Sequence, residues 1–256
     1  MMTTTPTLNR KNVLVTGAGG GIGAAITLAF NQAGAKVFAT DTDVDSLRQV
    51  LKTYPELDDV TLMAMDVTDE RNVNEVIKQI TIHFGSLNIL VNNAGIKSAE
   101  SLLKGNHVQV KKTLQVNSDS ILLCSRVAIA TSMGRGGRII NVGSSLSSQG
   151  AVFNYQAGGA DYCLSKAIVH DLTKLLAFEC APLGINVNAI APGIIDTPMH
   201  GRPREETEAR HAGRIPLGRV GEPKDISGLA VFLASSAADY ITGQIIHVNG
   251  GMLMNG

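Results

Sequence analysis

The chain of 256 residues predicts an α/β fold in which one doubly wound parallel sheet of about seven strands is flanked by helices on both faces. Three observations predict it. Short aliphatic runs alternate with segments of helical periodicity along the chain. A glycine-rich turn, Thr16-Gly-Ala-Gly-Gly-Gly-Ile-Gly23, joins the first run to the first helical segment. Hydrophobic residues make up 44% of the chain and aromatics only 4%, so the core is expected to be large and aliphatic.

The elements follow in order. Residues 12–15 read as the first strand, after which Ile22, Ala25, Ile26, Ala29, Phe30 and Ala33 recur at helical spacing until Gly34 stops the helix. Residues 36–40, 60–65 and 88–91 read as strands two to four, with helices over 43–53 and 69–84 between them. One long helix over 106–133 leads to strand five at 137–142, and a helix over 161–180 leads to strand six at 185–190. After a polar stretch, a helix over 223–236 precedes the last strand at 244–248. Repeated strand-helix units of this kind wind a parallel sheet, because each helix carries the chain back to the end where the previous strand began.

No proline or serine tract, like-charge block or internal repeat divides the chain, so 1–256 is read as a single domain with a short flexible N-terminus at 1–10. Lys plus Arg equals Asp plus Glu at 22 each, which provides no bulk positive field for nucleic acid or an anionic membrane. The N-terminal residues lack the apolar stretch of a signal peptide, and no later run is long enough to span a membrane, so a cytoplasmic protein is expected. Cys124, Cys163 and Cys180 are odd in number and lack metal-ligand spacing, so neither a disulfide framework nor a metal site is expected. Cys163 is read as an inert buried thiol, with reactivity toward electrophiles as the alternative.

The chemistry gathers at two places. In the turn, Gly17, Gly21 and Gly23 let the backbone approach a pyrophosphate, while the opening helix offers free N–H groups. Asp41 ends strand two at the spacing where a carboxylate accepts hydrogen bonds from adenosine ribose hydroxyls. That carboxylate repels a 2′-phosphate, and neither the turn nor Thr42 supplies a neutralising cation, so NAD is favoured over NADP. The alternative for Asp41 is a helix cap, for which Asp43 is the more natural residue. Further on, Tyr162 and Lys166 stand four apart on one helix face, where the ammonium is expected to lower the phenol pKa and prepare it for proton exchange.

The glycine turn, Asp41, Asn92-Asn-Ala-Gly95, Ser144, Tyr162-x-x-x-Lys166 and Pro192-Gly-Ile-Ile-Asp-Thr-Pro198 occur in order at successive strand ends. In this the chain resembles the short-chain dehydrogenase/reductase family, in its branch of about 250 residues. The resemblance implies a Rossmann-type fold and a catalytic set of Asn117, Ser144, Tyr162 and Lys166. In that set Tyr162 is the general acid/base, Ser144 orients the substrate oxygen, Lys166 also binds the nicotinamide ribose, and Asn117 holds a relay water. Ser145 is the fallback for the serine. It also implies cofactor contacts from Ile22, from Asp66 and Val67 at the adenine, from Asn93, Ala94 and Gly95 beneath the cofactor, and from Pro192, Gly193, Ile195 and Thr197 at the carboxamide end.

Ser144 and Tyr162 lie 18 residues apart, about five more than the resembled family commonly has, with the surplus around 153–160. This insertion borders the expected substrate pocket and either shapes it or is a neutral surface loop. Tyr155 within it has no lysine four residues on. The polar stretch 198–214 falls where the family carries a substrate lid. Its Arg202, Arg204, Arg210 and Arg214 either meet an anionic substrate or pair with Glu205, Glu206 and Glu208 on a solvated helix face, and the second reading is favoured.

The resulting expectation is NAD-dependent hydride transfer with a secondary alcohol: a polyol, hydroxysteroid, diol or cyclic alcohol. An alternative is a 3-oxoacyl thioester reductase of the acyl-carrier-protein type, prompted by Ile215-Pro-Leu-Gly-Arg-Val220 and the ending His247-Val-Asn-Gly-Gly-Met-Leu-Met254, although that subgroup commonly prefers NADPH. A cofactor-binding protein without catalysis is the third reading. The helices at 106–133 and 161–180 resemble those through which relatives assemble, so a homotetramer is expected, with a dimer next.

Overall fold

The computed structural model describes residues 7–53, 57, 59–98, 100–148 and 159–254. Seven strands form one parallel sheet: β1 (Asn12–Thr16), β2 (Lys36–Asp41), β3 (Val60–Ala64), β4 (Ile89–Asn92), β5 (Arg138–Val142), β6 (Asn186–Pro192) and β7 (Ile245–Val248), in the order β3-β2-β1-β4-β5-β6-β7. The order reverses between β1 and β4. The crevice above their carboxyl ends is where such sheets hold ligands.

The pleat explains why the strands are apolar throughout. Val13 and Val15 of β1 face one core, whereas Leu14 faces the other; Val37 and Ala39 of β2 part from Phe38, and Ile89 and Val91 of β4 part from Leu90, in the same way. The first core is closed by α1 (Gly21–Gln32), α2 (Val44–Leu51) and α9 (Pro223–Ala234), with Ile26 and Phe30 packed against the strands. The second is closed by α3 (Glu70–Phe84), α5 (Ser120–Thr131) and α7 (Ala160–Cys180). In α3, Val73, Val76, Ile77 and Ile80 recur at helical spacing on the buried face, and Asp69 caps the helix by accepting from the N–H groups of Arg71 and Asn72.

The helix expected over 106–133 is interrupted. It divides into α4 (His107–Leu114), a π-turn (Gln115–Asp119) and α5, and the wide turn carries Asn117. One extra residue per turn breaks the i→i−4 ladder and turns a side chain inward, a device that periodicity counted over 28 residues does not register. The polar stretch after β6 holds a further helix, α8 (Arg204–His211), between short 3₁₀ turns at Pro198–His200 and Ala212–Arg214. A four-residue helix, α6 (Ser145–Ser148), follows β5. Of the insertion expected at 153–160, residues 153–158 lie outside the described residues. Gly159, at φ +92°, precedes α7 in a left-handed conformation suited to glycine. No described helix is long and apolar enough to cross a membrane.

Candidate active site

The glycine turn is shaped by close approach. A Cβ on Gly17, itself at φ +63°, would meet the Cα of Ala94 at 2.6 Å, one on Gly21 the Thr197 side chain at 2.9 Å, and one on Gly23 the carbonyl of Gly17 at 2.2 Å. Asn93 staples the loop after β4 to this turn, its Nδ2 donating to the carbonyls of Thr16 (3.0 Å) and Gly17 (2.9 Å). The N-terminus of α1 carries no side-chain cap and no acid in its first turn, so its N–H groups stay available to an anion.

At the end of β2, Asp41 accepts from the N–H of Gly19 (3.0 Å) and of Thr42 (2.8 Å). Asp43 caps α2, accepting from the N–H groups of Asp45 and Ser46, so the capping role weighed for Asp41 belongs to its neighbour. Asp66 closes a turn onto the N–H and hydroxyl of Thr68, and Val67 is buried beside it. Residues Gly17, Gly21, Ile22, Gly23, Asp41, Asp66, Val67, Asn93, Ala94, Gly95, Pro192, Gly193, Ile195 and Thr197 all line one cleft of about 930 Å³, together with Tyr162 and Lys166. That is ample for a dinucleotide and a small substrate. A cradle built by missing side chains, an uncapped helix start and a carboxylate at the second strand fit a nicotinamide dinucleotide.

On the other side of the switch point lie Asn117, Ser144, Tyr162 and Lys166, the residues expected to handle the proton. Asn117, turned inward by the π-turn, accepts from the N–H of Ile96 (2.8 Å) and donates to the carbonyl of Ile96 (2.9 Å) and to Ser165 Oγ (3.0 Å). Lys166 reaches from α7 to donate to the carbonyl of Val142 at 2.8 Å, and its Nζ stands 5.9 Å from the Tyr162 ring centroid. Here the expected electrostatics are corrected. Burial pushes the Tyr162 phenol up to about 12, against a smaller opposite pull from its hydrogen bond with Ser144, while burial brings Lys166 down to about 8. In this enclosed wall desolvation outweighs mutual attraction, and both groups are driven toward their neutral forms. Ser144 is buried and is the serine that contacts Tyr162; Ser145 instead donates to the carbonyl of Ala191 at 2.9 Å. Cys163 carries a thiol pushed up by burial and by Asp161, which disfavours the reactive thiolate.

Two histidines behind the serine were not singled out from sequence. His170 Nε2 accepts from the N–H of Ser144 (3.4 Å), and its Nδ1 faces Ser148 Oγ (3.3 Å). His247 Nδ1 lies 3.0 Å from Ser145 Oγ. Burial, then the neighbouring His247, lowers His170 to about 4, so the ring is neutral and its accepting Nε2 assigns the proton to Nδ1. The signal was available: Tyr162, Lys166 and His170 are successive i, i+4 positions. Lys97, His200 and His211 also line the cleft, alongside the already noted Arg202. Below the site, Asn92 Nδ2 donates to Asn141 Oδ1 (2.9 Å) and Asn141 Nδ2 to Thr173 Oγ1 (2.9 Å), locking β4, β5 and α7 together.

The family described as Enoyl-(Acyl carrier protein) reductase matches residues 17–253. The 3-oxoacyl-(acyl-carrier-protein) reductase FabG of Vibrio cholerae is 40% identical over 248 residues, covering 96% of this chain and 99% of that protein. Its Escherichia coli namesake is 37% identical over 245 residues, covering 95% and 98%. Among solved structures, a dehydrogenase/reductase from Sinorhizobium meliloti superposes with a TM-score of 0.89 at 33% identity, covering 99% of each chain. A putative gluconate dehydrogenase from Agrobacterium tumefaciens does so at 0.87 and 32%, covering 98% of each. With the sheet order, the cleft and these matches along nearly its whole length, the chain belongs to the short-chain dehydrogenase/reductase family.

Proposed function

We propose that this oxidoreductase is an NADH-linked ketone reductase whose leading substrate class is a 3-oxoacyl thioester. The observation that carries the chemistry is that Tyr162, hydrogen-bonded to Ser144, and Lys166 line the same cleft as the glycine turn and Asp41. The thioester rests on relatives of 37–40% identity that carry that activity in their names, and on the Ile215–Val220 and His247–Met254 segments. The preference for NADH rests on Asp41, since Gly19, Thr42, Asp66 and Thr68 around it bring no cation to meet a 2′-phosphate.

A bound nicotinamide supplies the hydride in reduction and accepts it in oxidation. Ser144 donates a hydrogen bond to the substrate carbonyl oxygen, favouring the charge that gathers there. Tyr162 gives its phenolic proton to the same oxygen, so ketone, hydride and proton add up to the secondary alcohol; in oxidation the phenolate takes the proton back. Lys166 has three N–H donors, of which one is engaged by Val142, and the others would hold the nicotinamide ribose hydroxyls. Asn117 holds the relay water beside the Ile96 carbonyl.

NAD-linked oxidation of a secondary alcohol is the second reading, favoured by the same Asp41 carboxylate. Initial rates with NADH and NADPH on a 3-oxoacyl thioester, and with NAD and NADP on polyols, diols, steroids and cyclic alcohols, separate the two. Turnover of the thioester with NADH is expected. Turnover confined to alcohols selects the second reading, and NAD binding without turnover on either panel overturns both. The active form is a cytoplasmic homotetramer in this proposal, its contacts drawn from α4, α5 and α7.

A further inference from the structure

The cleft is electrically lopsided. Its acidic lining, Asp41 and Asp66, follows β2 and β3, whereas Lys97, His200, Arg202 and His211 follow β4 and β6; Lys112 of α4 and Lys166 of α7 line it as well. The four that follow β4 and β6 come from two segments that are far apart in sequence. Lys97 follows β4, and the others belong to the polar segment after β6, so only the sheet order gathers them.

Not every cation of that segment joins them. Arg204 is held between Glu208 (2.9 Å) and Glu222 (3.0 Å), and Arg210 pairs with Glu206 at 3.2 Å; among the described residues neither lines the cleft. Arg202 stands 4.0 Å from that same Glu206 and its side chain is 26% exposed. His200 is fixed by donating to the carbonyl of Ile195. The members act on one another: after burial, Arg202 lowers Lys97, Lys97 lowers His200, and His200 lowers His211. Asp196 beside His200 opposes this, as a smaller effect. Like charges gathered on a concave wall repel, and an anion between them turns that repulsion into attraction.

We propose that Lys97, His200, Arg202 and His211 form a subsite for an anionic group of the substrate, a carboxylate or a phosphate, at the opposite end of the cleft from Asp41. This rests on the redox reading of the same cleft. The anion has two chemical sources, the phosphate of a phosphopantetheine arm or the carboxylate of a hydroxy acid, and substrate pairs differing in that group distinguish them.

The test compares kcat/KM for 3-oxobutyryl phosphopantetheine against 3-oxobutyryl pantetheine, and for gluconate against glucitol. It uses the wild type, Lys97→Gln/Arg202→Gln and, as a distant charge control, Arg71→Gln. A preference for the charged member of one pair by about tenfold or more is expected, falling toward unity in the double variant and unaffected in the control. The pair that responds names the source. Equal use of both members by the wild type, or a preference that survives the double substitution, overturns the subsite; so does a raised KM for the nucleotide with the preference intact, which would assign the cations to the cofactor. If no pair turns over in the wild type, the redox reading is left to the full substrate panel and calorimetry with inorganic phosphate decides the subsite. Binding heat that is lost in the double variant supports it, and absent or unaltered heat overturns it.

Discussion

Tyr162, Lys166 and His170 lie along one face of α7, and each is taken out of water for a different purpose. In the proposed reaction Tyr162 exchanges its proton with the substrate oxygen, so Tyr162→Phe is expected to lower kcat by about 10²–10⁴-fold while leaving nucleotide affinity nearly intact. Fluorescence of bound NADH against turnover checks this, and near-normal turnover would remove Tyr162 from its role. Asp41→Ala is expected to weaken NAD and to shift preference toward NADP by about tenfold or more, read from kcat/KM with each nucleotide. Unchanged discrimination would leave Asp41 a structural anchor for Gly19.

His170 allows a pH argument of definite sign. Its folded pKa, about 4, lies below the ordinary 6.5, so between these values the unfolded chain binds the proton that the folded chain refuses. Stability is therefore complete above pH 6.5, falls as pH drops toward 4, and the loss from this group amounts to about 3 kcal/mol at most. His170→Gln is expected to flatten the melting temperature across that window relative to wild type. Carboxylates with lowered pKa, such as Asp43 and Asp225, titrate in both proteins and cancel in the difference.

At the scale of elements, the site depends on joints between strands and helices rather than on any one helix. Asn141→Ala removes one buried hydrogen bond each from Asn92 Nδ2 and Thr173 Oγ1, which keep Ser125 and Val169, and is expected to cost about 1–2 kcal/mol, seen as a lower urea midpoint at unchanged slope. Most elements were legible in the sequence, with strand ends falling within one or two residues, because aliphatic runs and capping residues are local signals. The π-turn was not. Its cause is the fit of Asn117 against Ile96 and Ser165, contacts that no window of periodicity contains.

For the whole molecule, α5 and α7 keep large apolar side chains on their outer faces: Phe178 is 83% exposed and Leu175 63%, with Leu122 and Leu164 also uncovered. A soluble chain hides such surface against another copy. If the proposed homotetramer forms through this face, Phe178→Glu is expected to give a smaller species in sedimentation, and an unchanged mass would move the contact elsewhere.

The sequence by itself determined the sheet, the glycine turn, Asp41 and the order of catalytic motifs, because each is written in local spacing: a strand, a turn, an i, i+4 pair. Where the helix over 106–133 opens into a π-turn and which arginines after β6 face the cleft were decided only by the tertiary structure. So was the direction of the Tyr162 and Lys166 pKa values. The physical reason is the same in each case. Spacing sets which groups are neighbours along the chain, but burial and pairing depend on what the rest of the fold brings up against them, and in a water-poor cleft those determine charge.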